Sequence, residues 1–237
     1  MVVALLTAAG VGSRMKQDIP KQFMHVNNKP IIIHTMEAFQ KHPLVDAIMV
    51  VTLPAWMDVL KVYAKQFNIS KLKWVVPGGA TGQESIHNGL EVLSKELGDD
   101  EVVLIHDGNR CNVSQEIISD SLATFKEHGS AITAIPCVEA VFRSGDGGMS
   151  STDSIPREQL YRTQTPHVYT LGKLLWAHEE AGKRGITNTA ATCTLMQALG
   201  ERVYFSKGSE TNLKITTVDD LMIFEALLST KKDEWLK

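Results

Sequence analysis

An apolar run from Val2 to Leu6 closes on Thr7, Ala8, Ala9, Gly10, Val11, Gly12, Ser13 and Arg14, and Lys21 follows within Pro20-Lys21-Gln22-Phe23. Small residues and glycines let the backbone approach a ligand closely, and such a turn gathers several N–H groups into one concavity that suits an anion. Arg14 and Lys21 lie within reach of that anion. Arg offers a planar fork to phosphate oxygens, whereas Lys is a compact point charge. Further along, Asp107 ends a second apolar run and is the candidate for a metal or ribose contact, unless it simply caps the loop that follows. Two common phosphate loops fit poorly. A dinucleotide fingerprint needs a third glycine near Met15 and an acidic residue about twenty positions on. A Walker loop needs a terminal Gly-Lys-Ser/Thr, which is absent. A tight strand-to-helix turn with solvated cations would use the same residues.

The elements that must position these groups are legible as periodicity. Strands are expected over the apolar run that opens at Val2 and at 46–53, 73–76, 101–105, 130–136 and 202–206. Helices are expected at 30–40, 56–67, 84–97, 115–127, 171–183, 191–199 and from Thr217 through Leu228, with Ser114 and Thr217 as N-caps. Residues 231–237 should fray. Strands alternate with helices and have uniformly apolar interiors. That pattern predicts an α/β fold with a Rossmann-like, mostly parallel sheet covered on both faces. Ligands of such sheets bind beyond the carboxyl ends of the strands. Three such ends carry unusual residues: Ala8 to Arg14, Gly78-Gly79, and His106 to Arg110. Residues 137–165 break the pattern. Two weakly alternating stretches flank the polar turn 143–148, which reads as a protruding β-arm on a single domain spanning 1–237, or else as a flexible surface insertion.

Composition narrows the function classes. The chain has 237 residues with 43% hydrophobic and 22% charged, ordinary for a globular protein. Its net charge of −3 gives no broad basic footprint for nucleic acid. No apolar run approaches the roughly twenty residues that span a bilayer, and the short N-terminal run lacks a signal-peptide pattern. Cys111, Cys137 and Cys193 are odd in number and far apart, which suggests buried thiols in a reducing cytoplasm. His25, His34, His87 and His167 show no metal-ligand spacing. His106 should point away from Asp107 if the strand persists, in a structural role.

The opening Leu6 to Met15 with Pro20 to Phe23 closely resembles the signature of the cytidylyltransferases that act on methylerythritol phosphate and ribitol phosphate. Other motifs follow in the same order over nearly the whole chain: Lys29-Pro30 with His34-Thr35, Gly78-Gly79 with Ser85, His106-Asp107 with Arg110, Gln164-Thr165-Pro166, and Asn212 to Thr217. The resemblance implies CMP transfer from CTP to a phosphorylated polyol, with Mg²⁺ as cofactor. It implies that Ala8, Ala9, Gly10, Val11 and Gly12 line the triphosphate loop, with Arg14, Lys21 and Lys214 on the phosphates. Gly78, Gly79 and Ser85 would hold cytosine. Asp107, Gly108 and Arg110 would sit at the ribose and acceptor end, with Asp107 toward the metal. Thr165 and Arg157 would contact the acceptor, Arg157 being supplied by a partner subunit's arm in a homodimer.

The departures from the family pattern fall on the acceptor side. Gly82 replaces an arginine, Cys111 a proline, Ala140 a threonine and His167 a glutamine, and Thr187 to Thr192 replaces a Thr-Asp-acidic run. This pattern predicts an acceptor such as ribitol or glycerol phosphate, destined for a wall or capsule polymer. Three alternatives stay open: methylerythritol 4-phosphate in isoprenoid synthesis, another base in the donor nucleotide, and a nucleotide-binding protein that has lost catalysis.

Overall fold

The chain is described from a computed structural model that defines residues 1–10 and 19–230. Val11, Gly12 and Arg14 of the expected phosphate loop lie outside the described residues, as do 231–237. The strands are β1 (Val2–Ala8), β2 (His25–Val26), β3 (Lys29–Pro30), β4 (Ala47–Thr52), β5 (Leu72–Pro77), β6 (Val102–Asp107), β7 (Ala131–Pro136), β8 (Val141–Arg143), β9 (Asp153–Ile155), β10 (Tyr161–Thr170) and β11 (Phe205–Lys207). The helices are α1 (Ile31–Lys41), α2 (Met57–Gln66), α3 (Gly82–Ser94), α4 (Gln115–His128), α5 (Leu171–Lys183), α6 (Thr192–Ala198) and α7 (Val218–Ser229).

Seven strands form the central sheet in the order β11-β7-β10-β6-β1-β4-β5. Their apolar runs are continuous because both faces are buried. Alternate residues serve opposite layers. Val3, Leu5, Met49, Val51, Val103 and Ile105 pack with α3, α5 and α6, while Ala4, Leu6, Ile48, Val50 and Leu104 pack with α1, α2 and α4. The chain runs from β1 outward to β4 and β5, then returns to β6 on the other side of β1. That reversal opens a crevice at the carboxyl ends of β1 and β6, where Thr7 lies level with Asp107. The α4 helix starts at Ser114, whose Oγ accepts from the Ile117 N–H at 3.3 Å, and stops at Gly129 with φ +77°. At α7, Thr217 and Asp220 cap reciprocally.

The sheet departs from expectation at β10. This ten-residue strand is antiparallel to both β6 and β7, and its first half lies within the stretch assigned to the arm. Gln164-Thr165-Pro166-His167 hides it in the sequence, because a proline argues against a central strand. The register shifts between Thr163 and His167, so Pro166 falls in the irregularity rather than in the ladder. The part of the arm that pairs only with itself is therefore the short hairpin β8–β9, which forms its own two-stranded sheet. Its turn is built on Asp146, whose carboxylate accepts from Met149 N–H at 3.0 Å and Ser150 N–H at 3.1 Å. The last edge strand sits at 205–207 rather than 202–206.

Candidate active site

A cavity of about 720 Å³ opens at the carboxyl ends of β1 and β6. Of the residues singled out from the sequence, Ala8, Ala9, Gly10 and Lys21 border it from the β1 side. Gly79 and Ser85 border it from the β5–α3 turn, and Asp107, Arg110, Thr165 and Lys214 from the β6 side. Gly78 and Gly108 stand just behind, and their glycine character serves packing. A Cβ on Gly78 would come within 2.2 Å of the Ala9 side chain, and one on Gly108 within 2.9 Å of the Thr7 carbonyl. Arg157 does not border its own chain's cavity; it follows the β8–β9 hairpin within the arm and pairs with Glu158 at 3.4 Å.

Each wall is fixed locally. Buried Gln22 donates from Nε2 to the carbonyls of Ala8 and Gly10 and so straps the loop's entry. Thr52 adds a bond from Oγ1 to the Ala8 carbonyl at 3.2 Å. Lys21 is presented between Pro20 and two buried neighbours, Gln22 and Phe23, and the Phe23 ring stacks on Trp56 at 4.5 Å. On the base side, Thr81 caps α3, and Ser85 Oγ accepts from the Gly79 N–H at 3.0 Å while donating to the Thr81 carbonyl at 2.8 Å. The tight turn therefore draws its partners from the first turn of its own helix.

The third wall is electrostatic. Asp107 Oδ1 accepts from Lys214 Nζ at 2.9 Å, and Oδ2 from Arg110 Nε at 2.9 Å. Burial alone would raise the pKa of this carboxyl, but the two cations overcome that and hold it well below the usual carboxylate range. Arg110 also donates to the Asn212 carbonyl at 2.7 Å, and Asn212 donates to the Thr165 carbonyl at 3.0 Å. Thr165 Oγ1 accepts from the Asp107 N–H at 3.0 Å and faces His106 Nδ1 at 2.9 Å, while His106 Nε2 faces the Arg110 carbonyl at 3.0 Å. One assignment satisfies all three contacts: Thr165 donates to Nδ1, and Nε2–H donates to the carbonyl. Burial pushes the His106 pKa down to about 4, so the ring stays neutral and acts as a brace. The sequence placed His106 on the opposite face from Asp107, and its ring indeed packs against Phe39 of α1 at 5.0 Å. Cys111 is buried, and burial drives its thiol pKa far up, which removes it as a nucleophile.

Asp107 is the only carboxylate among the described residues that border the cavity, and those residues contain no cluster of three or more metal-ligating side chains. This donor set suits a cation held largely by substrate phosphates, as Mg²⁺ commonly is, and not one caged by protein.

The sequence profile of the 2-C-methyl-D-erythritol 4-phosphate cytidylyltransferase (IspD) family matches residues 2–230. The chain belongs to this family. It is 41% identical to a ribitol-5-phosphate cytidylyltransferase of Lacticaseibacillus paracasei, over 98% of this chain and 100% of that one. It is 36% identical to a 2-C-methyl-D-erythritol 4-phosphate cytidylyltransferase of Clostridium botulinum, over 94% and 96% of the two chains. Among solved structures, the Francisella tularensis family member aligns at a TM-score of 0.78 and 28% identity, over 95% of this chain and 98% of that one. The cytidylyltransferase is thus an enzyme of the nucleotidyltransferase class, and the expected α/β architecture is borne out.

Within that family frame, the cavity contains residues the sequence did not flag. Gln83, in the first turn of α3, donates to the Ile186 carbonyl at 3.0 Å and accepts from Thr189 N–H at 2.9 Å and Oγ1 at 3.0 Å. It ties the 186–191 loop to the helix that carries Ser85. Asn188, at φ +55°, makes the turn that brings Thr189 to it. Thr189 lies in the rewritten Thr187-to-Thr192 run, and Gln83 follows Gly82 in the chain, so the contact joins one departure from the family pattern to the neighbour of another. Their spacing in the sequence gave no hint of it.

Proposed function

We propose that the cytidylyltransferase moves CMP from CTP to the phosphate of an alditol phosphate, with ribitol 5-phosphate as the acceptor, and releases pyrophosphate. An acceptor phosphate oxygen attacks the α-phosphorus, a new P–O bond forms, and the bond to the β-phosphate bridging oxygen breaks. The observation that carries this reading is the Lys214–Asp107–Arg110 cluster facing Lys21 and the β1 loop across a single cavity. Negative charge builds on phosphate oxygens during transfer, and fixed cations stabilise it without reorganising. Asp107 keeps Lys214 and Arg110 in place and would offer a carboxylate to Mg²⁺, which would polarise the phosphates when bound. A phosphate monoester with its second pKa near 6 is largely dianionic at neutral pH and needs no general base. The neutral, fully occupied His106 accords with that.

The choice of ribitol 5-phosphate rests on the higher identity to the Lacticaseibacillus relative and on the altered acceptor-side residues Gly82, Ala140, His167 and Asn188 to Thr192. We further propose a homodimer joined through the arm. Phe142 and Met149 on the arm are 60% and 85% exposed, a poor arrangement in water for a lone chain. Arg157 of the partner subunit would then complete the acceptor site. Among the described residues no helix is long and apolar enough to cross a membrane, and all three cysteines are free and buried, which supports a place in the reducing cytoplasm.

The test is pyrophosphate release with CTP and Mg²⁺ against ribitol 5-phosphate, glycerol 3-phosphate, methylerythritol 4-phosphate and a sugar 1-phosphate. Selective release with an alditol phosphate is expected. Selective release with methylerythritol 4-phosphate would overturn the acceptor assignment and place the enzyme in isoprenoid synthesis. CTP binding without release on any acceptor would favour a binding-only protein, against which the intact cation cluster speaks.

A further inference from the structure

The turn that follows β6 grips a segment far along the chain, 212–216. Two of its grips are charged: Asp107 accepts from Lys214 Nζ, and Arg110 donates to the Asn212 carbonyl. Between them stands Asn109, a neutral residue that is buried and borders the cavity. Its carbonyl accepts from the Ile215 N–H at 2.9 Å, and its side-chain Nδ2 donates to the Ile215 carbonyl. One residue therefore holds the peptides on both sides of Ile215.

Ile215 itself is fully buried and packs with Val26, Ile31, Cys111 and Phe224. That contact is apolar and non-directional, so it fixes where Ile215 sits but not how its peptides are turned. The turning matters because Lys214 leaves the chain one residue earlier. Its side chain is 42% exposed on a flexible four-carbon stem, and the reach of Nζ depends on where its Cα stands. That Cα belongs to the first of the two peptides Asn109 holds. The ion pair with Asp107 cannot keep this register during the reaction, since it engages the very ammonium that would turn to the phosphates. The Asn109 bonds engage only backbone and compete with no ligand. Without the Nδ2 donor, the buried Ile215 carbonyl has no water to replace it, and the segment must shift to find a partner.

We propose that Asn109 is a positioning residue for the transfer reaction: its side-chain amide orients the backbone at Ile215 and so sets Lys214 toward the phosphates. This rests on the reading of Lys214 as a cation that stabilises charge on them.

The experiment is a double-mutant cycle of Asn109→Ala and Lys214→Ala. Pyrophosphate release is followed with CTP, Mg²⁺ and ribitol 5-phosphate, or with methylerythritol 4-phosphate if the wild type turns over only that. With Lys214 present, Asn109→Ala should lower kcat by about tenfold, within the cost of a slightly misplaced group, and leave KM for CTP within about twofold. With Lys214 absent, the same change should alter kcat by less than about twofold, because the two residues act as one unit. An equal fold-loss in both backgrounds would mean that Asn109 acts through the fold at large or on the ligand itself, and would overturn the proposal. An unchanged kcat with Lys214 present would overturn it too. Should Asn109→Ala fail to fold, Asn109→Ser replaces it under the same criteria. Wild-type turnover in Lys214→Ala alone would show that the reading of Lys214 fails, and the proposal with it.

Discussion

Asp107 and His167 occupy neighbouring strands on one face of the sheet, and they border the same cavity in opposite states. Asp107 has a cation on each oxygen, both at 2.9 Å, and its loop is laced to 212–215 and to Thr165. His167 is buried as a neutral ring, with no ion pair among the described residues. The difference follows from the cost of burial. A carboxylate cannot be buried without compensating charge, so the chain supplies its own partners and arrives preorganised. A neutral imidazole costs less to bury, so it needs no compensating charge. On the proposed function, the charged end would meet the phosphates.

The largest expected effect breaks the charged end. Lys21→Ala and Lys214→Ala should each lower kcat/KM by about 10²–10³-fold, equivalent to losing one oxyanion-stabilising donor. Arg14→Ala is expected to match them. Steady-state pyrophosphate release measures this, and wild-type turnover in any of the three would remove that residue from the mechanism. Because Lys214 also compensates Asp107, its loss should destabilise the fold as well, which a thermal scan against the wild type would resolve.

Acid sharpens the comparison next. Unfolded imidazoles protonate near pH 6.5, whereas His106 and His167 stay neutral to about pH 4 when folded. The unfolded chain therefore binds more protons in that window, and stability falls as pH drops from 6.5 to 4, by on the order of 3 kcal/mol per buried ring. Asp107 acts lower. Its folded pKa is depressed, so its contribution is complete above the ordinary carboxylate pKa near 4 and is lost only as pH falls below that. Urea unfolding midpoints across pH 2–7 test the order of these losses, and His167→Gln should flatten the slope between pH 6.5 and 4.

Smaller effects probe the loop between the two ends. Gln83→Leu removes three hydrogen bonds to the 186–191 loop and should cost about 1–3 kcal/mol of stability. It should also raise acceptor KM more than CTP KM, and equal changes in both would show that the clamp does not act on the acceptor side. Gly82→Arg should be the mildest. A Cβ at Gly82 meets nothing within 4 Å, so stability should move by less than about 0.5 kcal/mol. Acceptor preference should shift while the fold does not, and unchanged preference would make that departure from the family neutral.

The two ends also differed in how far they could be read from sequence. The β1 turn, Gly79 and Asp107 sit at the ends of apolar runs, and strand ends are where parallel sheets place ligands, so pattern alone located them. Lys214 came only through the family resemblance, since no local rule marks it. The ties made by Gln22 and Gln83 were not legible because they exist only in three dimensions. Gln83 and Thr189 are 106 residues apart in the chain. The β10 strand was missed for a local reason: Pro166 and its polar neighbours imitate a loop, and only the register shift beside them lets a central strand tolerate them.

The most direct test of the account offers the enzyme CTP and Mg²⁺ with equal concentrations of ribitol 5-phosphate and methylerythritol 4-phosphate, and weighs the products by mass spectrometry. The account predicts CDP-ribitol in large excess. CDP-methylerythritol in excess would contradict it and would make the rewritten acceptor residues incidental to specificity.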